Sequence, residues 1–196
     1  QVGSIISAFA LARFASGLVA GKLVDKFGER LVYTVGIAFV AISSFAAALA
    51  QSYEQLLIFR SAGGLGSSMF SVAAGSIILR AVNDDQRARA QSLYNSSFLV
   101  GMMAGPVIGG FLTAISLRAP LLVYSALLVV ASAAGGFLLR NSVLAARPTE
   151  KSSAVKTSMR DALAMKPYVI ALTISFSTAW VIFGMSRSVL PLFMVE

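Results

Sequence analysis

The sequence predicts an all-α protein, a polytopic transmembrane helical bundle, and three observations carry that reading. The first is composition: 57% of the 196 residues are apolar and 12% are charged, against roughly 25% charged in a soluble domain. So little charge cannot coat a water-facing surface, which makes the lipid bilayer the solvent and disfavours a soluble enzyme. The second is segmentation, because six apolar stretches each reach the roughly 20 residues that a helix needs to cross hydrocarbon. The third is the placement of Lys and Arg, most of which lie between these stretches as membrane-flanking charge does. A membrane barrel does not fit, since its strands alternate polarity in segments of about ten residues.

Val2 to Leu23 forms the first stretch. No basic region precedes it and no cleavage pattern follows it, so it reads as a span and not as a signal peptide. The second, Leu31 to Gln51, carries Ser43-Ser44-Phe45-Ala46-Ala47-Ala48, small residues of the kind that let helices pack closely in lipid. The third runs from Gln55 to Leu79 around Arg60, the fourth from Ser92 to Ile115 through a glycine-rich run, and the fifth from Ala119 to Leu139. The next connection, 141–166, mixes Pro, Ser, Thr, Lys, Arg and Glu and reads as a flexible linker. Within it, Ser158 to Met165 suits a short interfacial helix. The sixth stretch, Tyr168 to Leu190, holds Arg187 close enough to its outer end to snorkel. The chain thus divides into a bundle over 1–140, a linker over 141–166 and a further span over 167–196.

Orientation follows from the connections. Lys22, Lys26 and Arg30 flank the first, Arg80, Arg87 and Arg89 the third, and Arg140, Arg147, Lys151, Lys156, Arg160 and Lys166 the fifth. The second connection, Ser52 to Glu54, has no base, and the fourth has Arg118 alone. By the positive-inside rule the odd connections are cytoplasmic and both ends of the chain lie outside. Membrane flanks therefore account for the formal net charge of +8, and no nucleic-acid partner is expected. With no Cys and no His, disulfides, thiolate and imidazole chemistry and most zinc or haem sites drop out, so neither a metal nor a cofactor is expected. The acids Asp25, Glu29, Glu54, Asp84, Asp85, Glu150, Asp161 and Glu196 all lie in connections or at helix ends.

The first connection reads Gly21-Lys22-Leu23-Val24-Asp25-Lys26-Phe27-Gly28-Glu29-Arg30. It resembles the loop motif between helices two and three of the major facilitator superfamily of secondary transporters: Gly, any, Leu, any, Asp, Arg or Lys, any, Gly, Arg, Arg or Lys. Glu29 departs from it, standing where the family usually has a base. Physically, Gly21 would let a neighbouring helix approach and Gly28 would allow a tight turn. Asp25 would cap a helix start and pair with a base, Arg30 above all, with Lys26 beside it. In the third stretch, Arg60 followed by Gly64-Leu65-Gly66 resembles the family's helix-four motif, with Gly63 where that motif often has Gln. In the fourth, Gly101-Met102-Met103-Ala104-Gly105-Pro106-Val107-Ile108-Gly109-Gly110 resembles the helix-five signature of the drug and proton antiporters. Gly101, Gly105 and Gly109 recur on one helix face and would admit a partner helix, while Pro106 removes a backbone donor and bends the helix.

The resemblance implies that the six stretches are helices two to seven of twelve. Helix one would precede the chain, most of the second six-helix half would follow it, and the long basic connection would join the halves. A charge in hydrocarbon costs about 2.5–3.5 kcal/mol on insertion scales, so Arg13 and Arg60 are functional candidates. The resemblance implies proton coupling or substrate contact for Arg60. Its alternative is a guanidinium snorkelling to headgroups, and for Arg13 an interhelical hydrogen bond serves equally well. Ser67, Phe70, Asn95, Phe98 and Met102 are candidates to line a cavity for an amphipathic substrate, the alternative being contact with lipid or neighbouring helices. The expected activity is alternating-access, proton-driven efflux of a small lipophilic compound or drug by a multi-pass bacterial inner-membrane monomer, its partners a small-molecule substrate, protons and the bilayer. The alternatives are a solute/proton symporter of the same superfamily, a non-transporting scaffold, and a polytopic membrane enzyme, for which convergent acid, base or metal ligands are missing. If coupling is to protons, the titrating carboxylate is expected on helix one or another segment outside these spans.

Overall fold

A computed structural model describes residues 2–140 and 164–179 of the chain, which falls into two units, Gln1–Thr149 and Glu150–Glu196, each treated by itself. The first holds α1 (Val2–Phe27), α2 (Glu29–Ala48), α3 (Tyr53–Ala81), a 3-10 turn (Asp84–Gln86), α4 (Arg87–Ile115) and α5 (Ala119–Leu138). The second contributes α6 (Lys166–Ala179). No strand occurs among the described residues, as expected where backbone groups must be satisfied within each spanning segment. Five of the helices, α1 to α5, are long and apolar enough to cross a membrane, so the chain is a multi-pass membrane protein. Exposed apolar side chains such as Phe14 at 84% and Leu117 at 84% are what a lipid-facing surface requires.

Helix starts and stops follow local chemistry. The Ser52 hydroxyl accepts from the Gln55 backbone N–H at 3.2 Å, and the Gln55 side chain accepts from the Gln51 N–H at 2.9 Å, which together satisfy orphan donors at the start of α3. Pro120 sits in the first turn of α5, where its missing N–H costs nothing. Gly28, with φ of 84°, is the single non-helical residue between α1 and α2, and only glycine takes that conformation without strain.

Hydropathy marks hydrocarbon and not helix ends, which explains the shifts in boundaries. The first span reads as ending at Leu23, whereas α1 runs on to Phe27 and carries Asp25 and Lys26 inside it. The fourth reads as starting at Ser92, whereas α4 starts at Arg87 with a polar turn. α6 begins the sixth stretch, and 180–190 with Arg187 lies outside the described residues. So does the linker over 141–163, with nearly all of the interfacial helix expected over Ser158 to Met165.

α3 packs against both α1 and α2, and α5 packs against α2. One tight crossing is glycine on glycine: a Cβ at Gly66 would stand 2.6 Å from the Gly36 carbonyl oxygen, and one at Gly36 would stand 2.8 Å from the Phe70 backbone nitrogen. Gly64 meets α1 as closely, 2.5 Å from the Phe9 carbonyl. Backbones can approach this far only without side chains between them, the usual packing solution in lipid. Serines tie the same interfaces: Ser125 Oγ donates to the Ala41 carbonyl at 3.0 Å and Ser132 Oγ to the Thr34 carbonyl at 3.0 Å, joining α5 to α2. Ser16 and Ser68 hydroxyls share a 2.7 Å bond between α1 and α3. Val24, Val32 and Ala73 form a small apolar core near the basic ends of α1, α2 and α3. α4 has no buried residue.

Candidate functional site

The two intramembrane arginines each reach across the α1–α3 interface, Arg60 to Phe9 and Arg13 to Ser67 and Ser71. Arg60 is seven residues into α3, about 10 Å along the helix at 1.5 Å per residue. Its guanidinium stands 5.3 Å from the Phe9 ring centroid of α1 and 5.8 Å from that of Tyr124 of α5. A long 3.5 Å bond runs from its Nη1 to Ser44 Oγ of α2. One side chain of α3 therefore touches α1, α2 and α5, and it turns into the bundle instead of snorkelling outward. The rings attract the cation through their quadrupoles without neutralising it.

Arg13 of α1 donates from Nη1 to Ser67 Oγ at 3.1 Å and from Nη2 to Ser71 Oγ at 2.9 Å, both on α3. This is the interhelical hydrogen bonding that competes with a coupling role for it in the sequence. Two cations thus sit on one seam held by hydroxyls and rings, with no carboxylate paired to either among the described residues. Phe9, Ser44 and Tyr124 were not legible as partners of Arg60; the only hint is the Ser43-Ser44 pair within an apolar run.

The five candidates for a substrate cavity lie on two helices, Ser67 and Phe70 on α3 and Asn95, Phe98 and Met102 on α4. Ser67 accepts from Arg13, while Asn95, Phe98 and Met102 lie on exposed faces of α4, Phe98 60% exposed and Met102 36%. Gln91 Nε2 donates to Asn95 Oδ1 at 3.3 Å along the same helix. Phe70 lines a cavity of about 330 Å³ between α2, α3, α4 and α5. Among the described residues α4 packs only loosely on its neighbours α3 and α5.

The loop motif also departs from its expected geometry. Asp25 is exposed on the last turn of α1 and caps no helix, since Gly28 is the N-cap residue of α2 and makes no side-chain bond. Nor does Asp25 pair with Arg30: Arg30 Nη2 donates to the Gly136 carbonyl of α5 at 3.0 Å. Glu29, the residue that breaks the motif, holds the ion pair instead. Its side chain is 4% exposed, and its Oε1 lies 2.5 Å from Arg80 Nη1 at the end of α3. Its Oε2 is buried without a partner among the described residues. Lys26 lies over the Phe27 ring at 5.3 Å. Adjacent residues after the Gly28 turn therefore fasten the α1–α2 joint to α3 on one side and α5 on the other.

No helix approaches Gly21 among the described residues, and none approaches the face of Gly101, Gly105, Gly109 and Gly110: a Cβ at each would meet nothing within 4 Å. α4 runs unbroken through Pro106. The close approaches fall on Gly36, Gly63, Gly64 and Gly66, which face neighbours across the α1, α2 and α3 crossings, and on Gly135 of α5, which faces Tyr33 of α2.

Comparison with known proteins agrees with this architecture. The sequence profile of the Major Facilitator Superfamily matches residues 1–196. Multidrug resistance protein 1 of Bacillus subtilis (strain 168) is 27% identical over 131 residues, which cover 67% of this chain and 34% of that protein. Quinolone resistance protein NorA of Staphylococcus aureus (strain MRSA252) is 28% identical over 131 residues, with the same coverage. The matched part of the chain thus spans about a third of these curated relatives, 34% of their length.

Proposed function

This chain belongs to the Major Facilitator Superfamily, and from that premise we propose that it supplies helices two to seven of a twelve-helix transporter exporting a small lipophilic compound in exchange for protons. The observation that carries this reading is the pair of arginines on the α1–α3 seam. Each charge in hydrocarbon costs about 2.5–3.5 kcal/mol, and among the described residues Arg60 is met there by rings and a neutral hydroxyl. Neutral side chains would tie the helices at lower cost, so the charge serves another purpose. We assign Arg60 the role of the cation whose field answers proton gain and loss on a carboxylate of another segment. The antiporter-like run Gly101 to Gly110 and the resistance names of both relatives favour export over import.

In this reading 1–140 belongs to one half and 167–196 opens the other, joined by the cytoplasmic linker 141–166, and the halves rock about a site near the bilayer midplane. The bacterial inner membrane is its location, and a monomer is the working unit. Full-length protein in inverted vesicles is expected to accumulate a labelled quinolone when an inside-acid gradient is imposed. Arg60→Ala is expected to abolish that accumulation at unchanged membrane abundance, and Arg60→Lys to restore part of it, since a point charge replaces a planar fork. Uptake restricted to right-side-out vesicles under an outside-acid gradient would establish symport instead. Full activity of Arg60→Ala would reduce Arg60 to a packing group.

A further inference from the structure

The cavity of about 330 Å³ between α2, α3, α4 and α5 belongs to neither the arginine seam nor the glycine run. Tyr33, Phe70, Ile77, Tyr94, Leu138 and Leu139 are among the residues that line it. Its size falls in the range of about 300–1,000 Å³ that small-ligand sites occupy, and its walls are mostly apolar with few polar groups, as such sites are. Tyr33 and Phe70 rings meet at 5.3 Å on one wall. Gly135 makes room for them, since a Cβ there would stand 2.6 Å from Tyr33 Cε1. The phenols of Tyr33 and Tyr94 have no hydrogen-bond partner among the described residues, which leaves two polar groups in an otherwise apolar slot.

Position and charge select the occupant. The lining residues lie toward the ends of α2, α3, α4 and α5 that bear Arg30, Arg80, Arg87 and Arg140, the cytoplasmic ends by the positive-inside rule. Two of the four guanidinium groups are engaged by acids, Arg80 by Glu29 and Arg87 by Asp84 at 2.9 Å, and Arg30 by the Gly136 carbonyl. Arg140 directly follows the lining residues Leu138 and Leu139, is exposed, and has no side-chain partner among the described residues. An apolar slot whose lining ends one residue before an exposed cation, unpaired among the described residues, suits one class of molecule in shape and charge. We propose that this cavity is a binding site for an anionic phospholipid of the cytoplasmic leaflet, one acyl chain lying along Phe70, Ile77 and Leu138 and the phosphate held by Arg140. The Tyr33 and Tyr94 hydroxyls meet the ester region. The site fixes the loosely packed α4 to the rest of the bundle through lipid instead of through side chains, and it is independent of what the protein transports.

The test uses full-length protein reconstituted in vesicles of phosphatidylethanolamine and phosphatidylglycerol, with a trace of phosphatidylglycerol carrying a photoreactive diazirine in one acyl chain. Crosslinks are expected to concentrate on peptides containing Tyr33, Ile77 and Tyr94. Unlabelled phosphatidylglycerol should compete and phosphatidylcholine should not. Arg140→Gln is expected to weaken phosphatidylglycerol retention about fivefold, the effect of one basic residue beside an anionic membrane surface. Leu138→Trp, on a residue 74% exposed and so tolerant of change, should block the slot and remove the crosslinks while leaving the thermal transition of the protein in place. Equal competition by phosphatidylcholine, or labelling spread evenly over the exposed α4 face at Phe98, Met103 and Phe111, would overturn the proposal. So would displacement by soluble glycerol phosphate alone, which would make the site an anion site without an acyl chain.

Discussion

Gly66→Ala is expected to destabilise the bundle far more than an alanine placed anywhere in the glycine run of α4. The new Cβ would stand 2.6 Å from the Gly36 carbonyl oxygen and 3.0 Å from Val40 Cγ2. A backbone carbonyl cannot rotate aside as a flexible side-chain end can, so α2 and α3 must separate. The Tyr33–Phe70 ring contact spans the same pair of helices and weakens with the separation. Overpacking a tight interior costs about 1–3 kcal/mol, sometimes more, and no hydrophobic drive between helices offsets it in lipid. Gly105→Ala is the control, because a Cβ there meets nothing within 4 Å. Thermal unfolding in detergent, followed by loss of the monodisperse peak, should show a Tm lower by roughly 5–10 °C for Gly66→Ala and unchanged for Gly105→Ala. Equal transitions for the two variants would mean that the Gly36–Gly66 crossing does not hold the bundle together.

That contrast also marks how far the sequence could be read. The spans were legible because hydrophobic length and flanking charge are local quantities: α2, α3 and α5 begin and end within a few residues of the apolar stretches that announce them. The turn at Gly28 was legible as well, since a glycine in a short charged hairpin points to a backbone that other residues resist, and its φ is 84°. Which face of a helix meets a neighbour was not legible. Gly101, Gly105 and Gly109 have the cleaner periodicity, yet the contacts fall on Gly36, Gly64 and Gly66, because approach depends on where two helices cross and spacing along one helix does not encode that. The pairing of charges failed for the same reason. Asp25 and Arg30 are five positions apart and Glu29 and Arg80 are fifty-one apart, so local reasoning favours the first pair. Asp25, however, ends on the exposed side of the last turn of α1, while Glu29 opens α2 on its buried side.

Arg80→Ala is expected to cost more than Glu29→Ala, and the double variant Glu29→Leu/Arg80→Leu is expected to cost least of all. Glu29 is 3% exposed, whereas the Arg80 side chain is 37% exposed. Removing Arg80 leaves a buried carboxylate with neither oxygen paired, and breaking a buried pair in this way costs about 3–5 kcal/mol. Removing Glu29 leaves a guanidinium that can reach the headgroups, so its penalty is smaller. Replacing both by leucine removes the desolvation cost along with the attraction, which is often neutral. The charge-swapped pair, Glu29→Arg with Arg80→Glu, separates Coulomb attraction from helix polarity. Glu29 now lies in the first turn of α2 and Arg80 in the last turn of α3, so each charge sits on the favourable pole of its own helix. The swap keeps the attraction and reverses both pole interactions, at about 0.3–1 kcal/mol each. Its Tm should therefore fall below that of the double leucine variant and above that of Arg80→Ala. A double-mutant cycle on thermal unfolding measures the coupling directly. Strictly additive single and double variants, or Glu29→Ala falling as far as Arg80→Ala, would show that the pair does not fasten the α1–α2 joint to α3.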